Sequence, residues 1–247
     1  MQVRPYLFLL AVVPLLAAQR PAVRDAVELE QESHHHLLFK NDKVRVWSLE
    51  LPGRESTAPH IHRYDYVGVN LDEADVSQQP RYGNGPEGPE TSHPFAAGEL
   101  WYVHGGYAHT LRNNRGLDRV HQIYVEILHP AVTGNALKDY IDDYYESQRV
   151  NPPAVSDTDY VQEAYFFRTF LTRQQILPGS KTARRQWDYD HVVIALTDLK
   201  LRNEIEGQPP QTVEMKQGEV RWVEGGYAHR LTNEGKSPAR LATVELR

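Results

Sequence analysis

Apolar residues along this chain fall in short runs, alternating or continuous, that are cut by Gly, Pro and Asn. In the first half the runs cover 43–51, 66–71, 100–103 and 120–128, and in the second half 165–171, 191–196, 220–223 and 241–246. Runs of this length with a period of two predict β-strands, because successive side chains of a strand point to opposite faces. Many short strands separated by turn residues predict a sandwich or barrel. Two stretches depart from the pattern. Residues 135–148 have helical spacing and lead into Asn151, Pro152 and Pro153, which predicts a short helix and a linker. Residues 78–95, rich in Pro and Gly, read as one long loop.

The pattern repeats itself. The segment from Gly98 through Gly105, Gly106, Tyr107, Ala108 and His109 to Asn113 recurs 120 residues later, from Gly218 through Gly225, Gly226, Tyr227, Ala228 and His229 to Asn233, with ten of sixteen positions identical. Leu51-Pro52-Gly53 is echoed by Leu177-Pro178-Gly179, Tyr64-Asp65 by Tyr189-Asp190, and Val125-Glu126 by Val244-Glu245. A duplicated domain follows. The paired glycines are explained by backbone geometry, since Gly accepts positive φ in tight turns.

Composition narrows the chemistry. The 247 residues carry 27 basic and 33 acidic side chains, a formal charge of −6, with no basic cluster suited to a phosphate backbone, so nucleic acid is set aside as a partner. Cysteine is absent, so disulfides, thiolate metal sites and Cys nucleophiles are excluded, and a metal must be held by His, carboxylate or Tyr. Arg4, an apolar run at 6–18 and then small and polar residues have the order of a secretory signal. The run is short of the roughly 20 residues of a membrane span. Cleavage near Ala18 predicts a periplasmic or secreted protein with no membrane attachment afterwards.

His60 and His62 alternate, so both point to one face of a strand, and His109 follows the Gly105-Gly106 turn. In this set the chain resembles the cupin superfamily. Gly53 and His60-Ile61-His62 are similar to the first cupin motif, with six intervening residues in place of five. Gly98, Gly106, His109 and Asn113 fit the second, with His104 where Pro is usual. The resemblance implies an all-β bicupin: two tandem double-stranded β-helix (jelly-roll) barrels at 37–128 and 163–247, joined by a helical linker at 129–162 and preceded by the signal at 1–18. It also implies that His60, His62 and His109 hold one divalent transition metal: Fe, Mn, Ni, Cu or Zn. The Glu that completes the family's ligand set is missing. Tyr66 shares the face of His62, while Asp65 reaches the ion only through a bulge. Both are candidate proton-handling residues, or a fourth ligand.

The second copy keeps little of this set. Aligned through Tyr189-Asp190, it places Arg185 and Trp187 at the positions of His60 and His62, His191 at that of Tyr66, and His229 at that of His109. A cation in a ligand position opposes a metal, so this barrel reads as structural or as an anion-recognition pocket. His34-His35-His36 reads as a surface or strand-edge tract. His121, in alternation with Ile123, Val125 and Ile127, reads as inward-facing support for the ligands, and Tyr107 and Tyr227 as packing residues. The functional expectation is a metal-dependent, dioxygenase-like enzyme acting on a small molecule in the first barrel. Its alternatives are a non-catalytic binder of a sugar or organic acid, a metal-dependent isomerase, and a homodimer formed through sheet edges and the Tyr-rich segment at 140–145.

Overall fold

A computed structural model describes residues 26–81, 87–116, 118–128, 149–151, 157–166 and 169–247. The signal region 1–18, the helix expected at 135–148 and the segment at 140–145 lie outside the described residues. Among the described residues there are twenty strands, one 3-10 turn at Leu29–Gln31 and no α-helix, and no helix is long and apolar enough to cross a membrane.

The strands form four sheets in two barrels. The first barrel pairs a sheet of β1 (Val27–Glu28), β4 (His60–His62), β9 (Tyr107–Asn113), β6 (Ala74–Arg81) and β7 (Thr91–Phe95) with a sheet of β11 (Arg149–Val150), β8 (Leu100–Val103), β5 (Tyr66–Asn70), β10 (Val120–Ile127), β3 (Val44–Leu51) and β2 (His35–Lys40). The second pairs β14 (Arg185–Trp187), β19 (Tyr227–Asn233), β16 (Leu199–Ile205) and β17 (Gln211–Met215) with β12 (Tyr160–Phe166), β13 (Thr169–Ile176), β20 (Ala239–Leu246), β15 (His191–Ala195) and β18 (Val220–Val223).

Several expected boundaries move. The barrels begin earlier than 37 and 163, at β1 and β12. The expected 129–162 linker contains β11, which pairs with β8, and the start of β12, Tyr160 to Gln162. The expected loop at 78–95 is largely the β6–β7 hairpin, paired from Ala74↔Phe95 to Gln78↔Thr91. Pro80 and Pro94 conceal these strands in the sequence, because proline is tolerated only where its missing N–H is not needed. The expected strand at 165–171 is two strands, β12 and β13, which pair as a hairpin.

The two large sheets share one apolar core. Val44, Val46, Val67, Val69, Leu100, Tyr102, Ile123 and Val125 of the first barrel pack with Leu171, Val192, Ile194, Ala242 and Val244 of the second. Both faces of these sheets are therefore buried, one toward its own barrel interior and one toward the other barrel. Arg173, 1% exposed, crosses the junction. Its guanidinium donates to the carbonyls of Gly98, Val150 (3.2 Å) and Asn151 (2.6 Å) and to Gln162 Oε1.

The duplicated turn also shows a duplicated brace. Gly106 and Gly226 have positive φ, 101° and 86°, as expected. Gly105 and Gly225 are needed for a different reason: a Cβ there would meet the backbone of Tyr64 at 2.2 Å and of Tyr189 at 2.5 Å. Each first glycine donates its N–H, at 2.9 Å, to the aspartate of the preceding corner, Gly105 to Asp65 and Gly225 to Asp190. Asp65 also accepts from Tyr102 Oη (2.7 Å) and contacts His104 Nδ1 at 3.3 Å, so its carboxylate, expected from the sequence to handle protons, braces the corner.

Two outcomes follow for stability. Arg173→Met leaves three carbonyls at the junction without their donor and should cost about 2–4 kcal/mol in urea denaturation. Lys43→Ala, which breaks an exposed ion pair to Asp190, should leave the midpoint nearly unchanged. For Asp65, burial alone would raise the carboxyl, but its bonds with His104, the Gly105 N–H and Tyr102 hold it below its ordinary 3.8. A carboxyl held low in the folded state stabilises above its unfolded value, and that contribution disappears as pH falls from there through the folded value. Melting curves of Asp65→Asn should therefore lie below wild type at pH 7 and converge on it below about pH 4.

Candidate metal centre

The first-barrel site is built on three strands. β4 pairs with β9 in a register that sets His60 opposite His109 and His62 opposite Tyr107. β2 lies along β3 with His35 opposite Leu49. The rings converge in the barrel interior: His60 and His109 lie 4.5 Å apart between centroids, His35 and His60 4.6 Å, and His60 and His62 5.3 Å. One ring nitrogen from each of His35, His60 and His62 lies within 4.8 Å of the others. His109 is adjacent, 5.3 Å from His62 by ring centroid, but is outside that nitrogen cluster.

The cluster corrects the reading of the His34-His35-His36 tract. His36 is exposed and His34 half-buried, whereas His35 is 5% exposed and belongs to the cluster. The sequence does carry a signal for this. A carboxylate, Glu32, stands three residues before His35; it is buried and accepts from His35 Nδ1 at 2.7 Å. Glu32 also accepts from the backbone N–H of His34 (2.9 Å) and of Ala58 (3.2 Å). Burial would raise Glu32, but the bonds from His35 and His34 outweigh it and keep it ionised, well below the usual carboxylate range.

Each histidine of the cluster has an oxygen behind its Nδ1. His35 has Glu32, His60 donates to the carbonyl of Ala58 at 2.9 Å, and His62 lies 3.6 Å from Glu126 Oε1, a long contact at ion-pair distance. Glu126 was missed by the sequence reading, although a carboxylate inside an apolar strand run is itself a signal. Burial pushes it up, but His62 first and then Arg45 and Trp47 hold it below its ordinary value. Arg45 Nε and Trp47 Nε1 each donate to its other oxygen at 2.9 Å. The opposite nitrogens, His35 Nε2, His60 Nε2 and His62 Nε2, are buried without a hydrogen-bond partner, as are both nitrogens of His109. Burial, with neighbouring imidazoles, keeps His60 and His109 well below the ordinary histidine value, and His35 is pushed down to about 4. These rings are neutral at pH 7, the form that donates a lone pair to a metal.

Unpartnered buried polar atoms cost roughly 1–3 kcal/mol each. The cavity beside His109, bounded also by Tyr66, Gln78 and Tyr124, is about 10 Å3, room for about one water. Nitrogens gathered on one point with acceptors behind them fit a divalent transition metal, whose imidazole ligands commonly donate their other N–H to a carboxylate or carbonyl.

The remaining sequence candidates fall as follows. Tyr66 stacks on His62 at 4.3 Å, with its hydroxyl 3.2 Å from that of Tyr107, so it lines the site. Asp65 has no partner in the histidine cluster. His121 alternates with Ile123 and Val125 as expected, but that face of β10 looks toward the other barrel. His121 Nε2 meets Ser48 Oγ at 3.2 Å, and Gln122, Tyr124 and Glu126 face the site instead. In the second barrel Arg185 pairs with His229 and Trp187 with Tyr227, the register of His60 with His109 and His62 with Tyr107. There every histidine nitrogen is satisfied: Trp187 Nε1 donates to His229 Nε2 (2.9 Å), His229 Nδ1 to Asn203 Oδ1 (3.0 Å), His191 Nδ1 to the Tyr189 carbonyl (3.1 Å), and Tyr227 Oη to His191 Nε2 (3.1 Å).

No family model matches the sequence, and no curated protein sequence does. Solved structures do match. AerE from Microcystis aeruginosa is similar over 87% of this chain and 93% of its own, with 12% identity and a TM-score of 0.60. A point mutant of the oxalate decarboxylase OxdC from Bacillus subtilis is similar over 86% of this chain and 72% of its own, at 12% identity and TM-score 0.57. A cupin 2 conserved barrel domain protein from Leptotrichia buccalis is similar over 86% and 88%, at 9% identity and TM-score 0.51. With its strand order, its duplicated turn and these neighbours, the chain has a bicupin fold, two tandem β-barrels of the kind these structures share.

Proposed function

We propose that this protein is a metal-holding bicupin whose first barrel binds one divalent transition metal through His35, His60 and His62, with His109 beside them. The observation that carries the reading is the set of buried, unpartnered ring nitrogens facing one another, with Glu32, the Ala58 carbonyl and Glu126 behind three of the rings. Glu32 and Glu126 would orient two of the imidazoles and set anionic charge close to the ion. Arg45 and Trp47 would fix Glu126 in turn. An imidazole set suits Fe, Mn, Ni, Cu and Zn alike, and a bound ion would supply Lewis-acid or redox chemistry.

The finer reading is a dioxygenase-like oxidoreductase. Neutral imidazoles are compatible with a redox metal, and Tyr66, stacked on His62, is the nearest phenol for handling a proton. Tyr107 is less suited to that task, because burial pushes its hydroxyl up to about 12. One observation favours a second, non-catalytic reading: the cavity beside His109, about 10 Å3, admits a water-sized molecule but no organic substrate. In that reading the ion ties β2, β4 and β9 together. Export to the periplasm or medium is proposed from residues 1–18 alone.

Mass spectrometry of metals on untagged protein should find close to one ion per chain. His35→Ala and the double variant His60→Ala/His62→Ala should both lose it, and chelation should lower the melting temperature of wild type but not of the double variant. Metal retained in full by His35→Ala would remove this residue from the site, and metal-free wild type after reconstitution would remove the site altogether. Dioxygen uptake by the loaded protein, assayed with small organic acids, separates the dioxygenase-like reading from the structural one.

A further inference from the structure

The two barrels have one framework and opposite interiors. The register equates Trp47 with Thr172, Phe95 with Met215, Trp101 with Arg221, and Tyr124 with Thr243. In the first barrel the four aromatics fill the space. Gly68 even yields to Trp101, where a Cβ would lie 2.1 Å from the indole, and the matching position in the second barrel is Val193. With smaller or polar residues at these four positions, the second barrel encloses a cavity of about 600 Å3, within the range of small-molecule sites. Its walls are mainly apolar, with Leu199, Leu201, Val213, Met215 and Leu231 among them.

The polar groups on the lining have a definite direction. Trp187 Nε1 can only donate, so His229 Nε2 accepts and His229 Nδ1–H donates to Asn203 Oδ1. That fixes the Asn203 amide with its NH2 as the group left to act, a donor. Arg185 stacks 4.1 Å above the Trp187 ring and bonds Glu163 (2.8 Å) and Thr172 Oγ1 (3.2 Å). At the mouth Arg184 pairs with Glu206, while Arg221 donates to the Glu214 carbonyl and has no carboxylate at ion-pair distance among the described residues. Glu224, and Glu163 paired with Arg185, are the acidic residues of the lining.

We infer that the second barrel is a binding site for a small carboxylate with an apolar body, its carboxylate met by Arg221 at the mouth or by the Asn203 amide within, and its body held against the aliphatic walls. The hollow is what remains when the aromatic plugs of the first barrel are absent, and the site is independent of the metal reading.

Isothermal titration of the full chain with 2-naphthoate and with its neutral counterpart 2-naphthalenemethanol tests this. The acid should bind at one site and the alcohol about tenfold more weakly. Arg221→Gln should narrow that difference. Thr243→Tyr, which restores the plug that Tyr124 forms in the first barrel, should abolish binding of both. Thr172→Trp, on another strand, should do the same and serves as the second blockade if Thr243→Tyr does not fold. Binding should survive chelation, and neither blockade should change metal content. Absence of binding, equal binding of acid and alcohol, or binding that survives both blockades in folded protein would overturn the inference.

Discussion

The first barrel depends on one constraint: ring nitrogens placed out of reach of water must find a partner. β2, β4 and β9 bring four imidazoles together inside the barrel, and the cavity beside His109 has room for about one water. Glu32, the Ala58 carbonyl and Glu126 stand behind three of them, and the nitrogens on the far side are left facing one another. In the second barrel the same constraint is met without an ion. A Trp, an Asn, a Tyr and a backbone carbonyl satisfy both nitrogens of His229 and of His191, and Arg185 stands where His60 would be. The contrast between orphaned and satisfied nitrogens on one framework is the strongest argument that the first cluster is a site and not a packing arrangement.

The fold was legible because its signals are local and repeated. The Gly105-Gly106 and Gly225-Gly226 turns recur for two separable reasons, close approach at the first glycine and positive φ at the second. The alignment through Tyr189-Asp190 placed Arg185, Trp187, His191 and His229 at the registers that the strand pairing shows. What stayed hidden depends on tertiary context. Pro80 and Pro94 lie in a paired hairpin that the sequence presents as a loop, and His35 lies before the boundary at 37 that the resemblance implied for the barrel.

His121 shows a more general limit. Alternation correctly groups it with Ile123 and Val125, but it does not say which face of a doubly buried sheet is the barrel interior. Only the packing of one barrel on the other decides that, and it turns Gln122, Tyr124 and Glu126 to the site. Asp65 illustrates the same point from the other side. It is buried, ionisable and near the motif, yet its hydrogen-bonding capacity is directed at the turn beside it. Proximity in sequence to a ligand motif is a weaker guide than what a side chain's atoms touch.

The most direct test of the account is a crystal structure of the untagged, reconstituted protein with anomalous diffraction recorded above and below the absorption edge of the bound metal. The account predicts one strong anomalous peak inside the first barrel, at bonding distance from the Nε2 atoms of His35, His60 and His62, and none in the second. A first barrel without a peak, or a peak held only by the outward-facing His34 and His36, would contradict it.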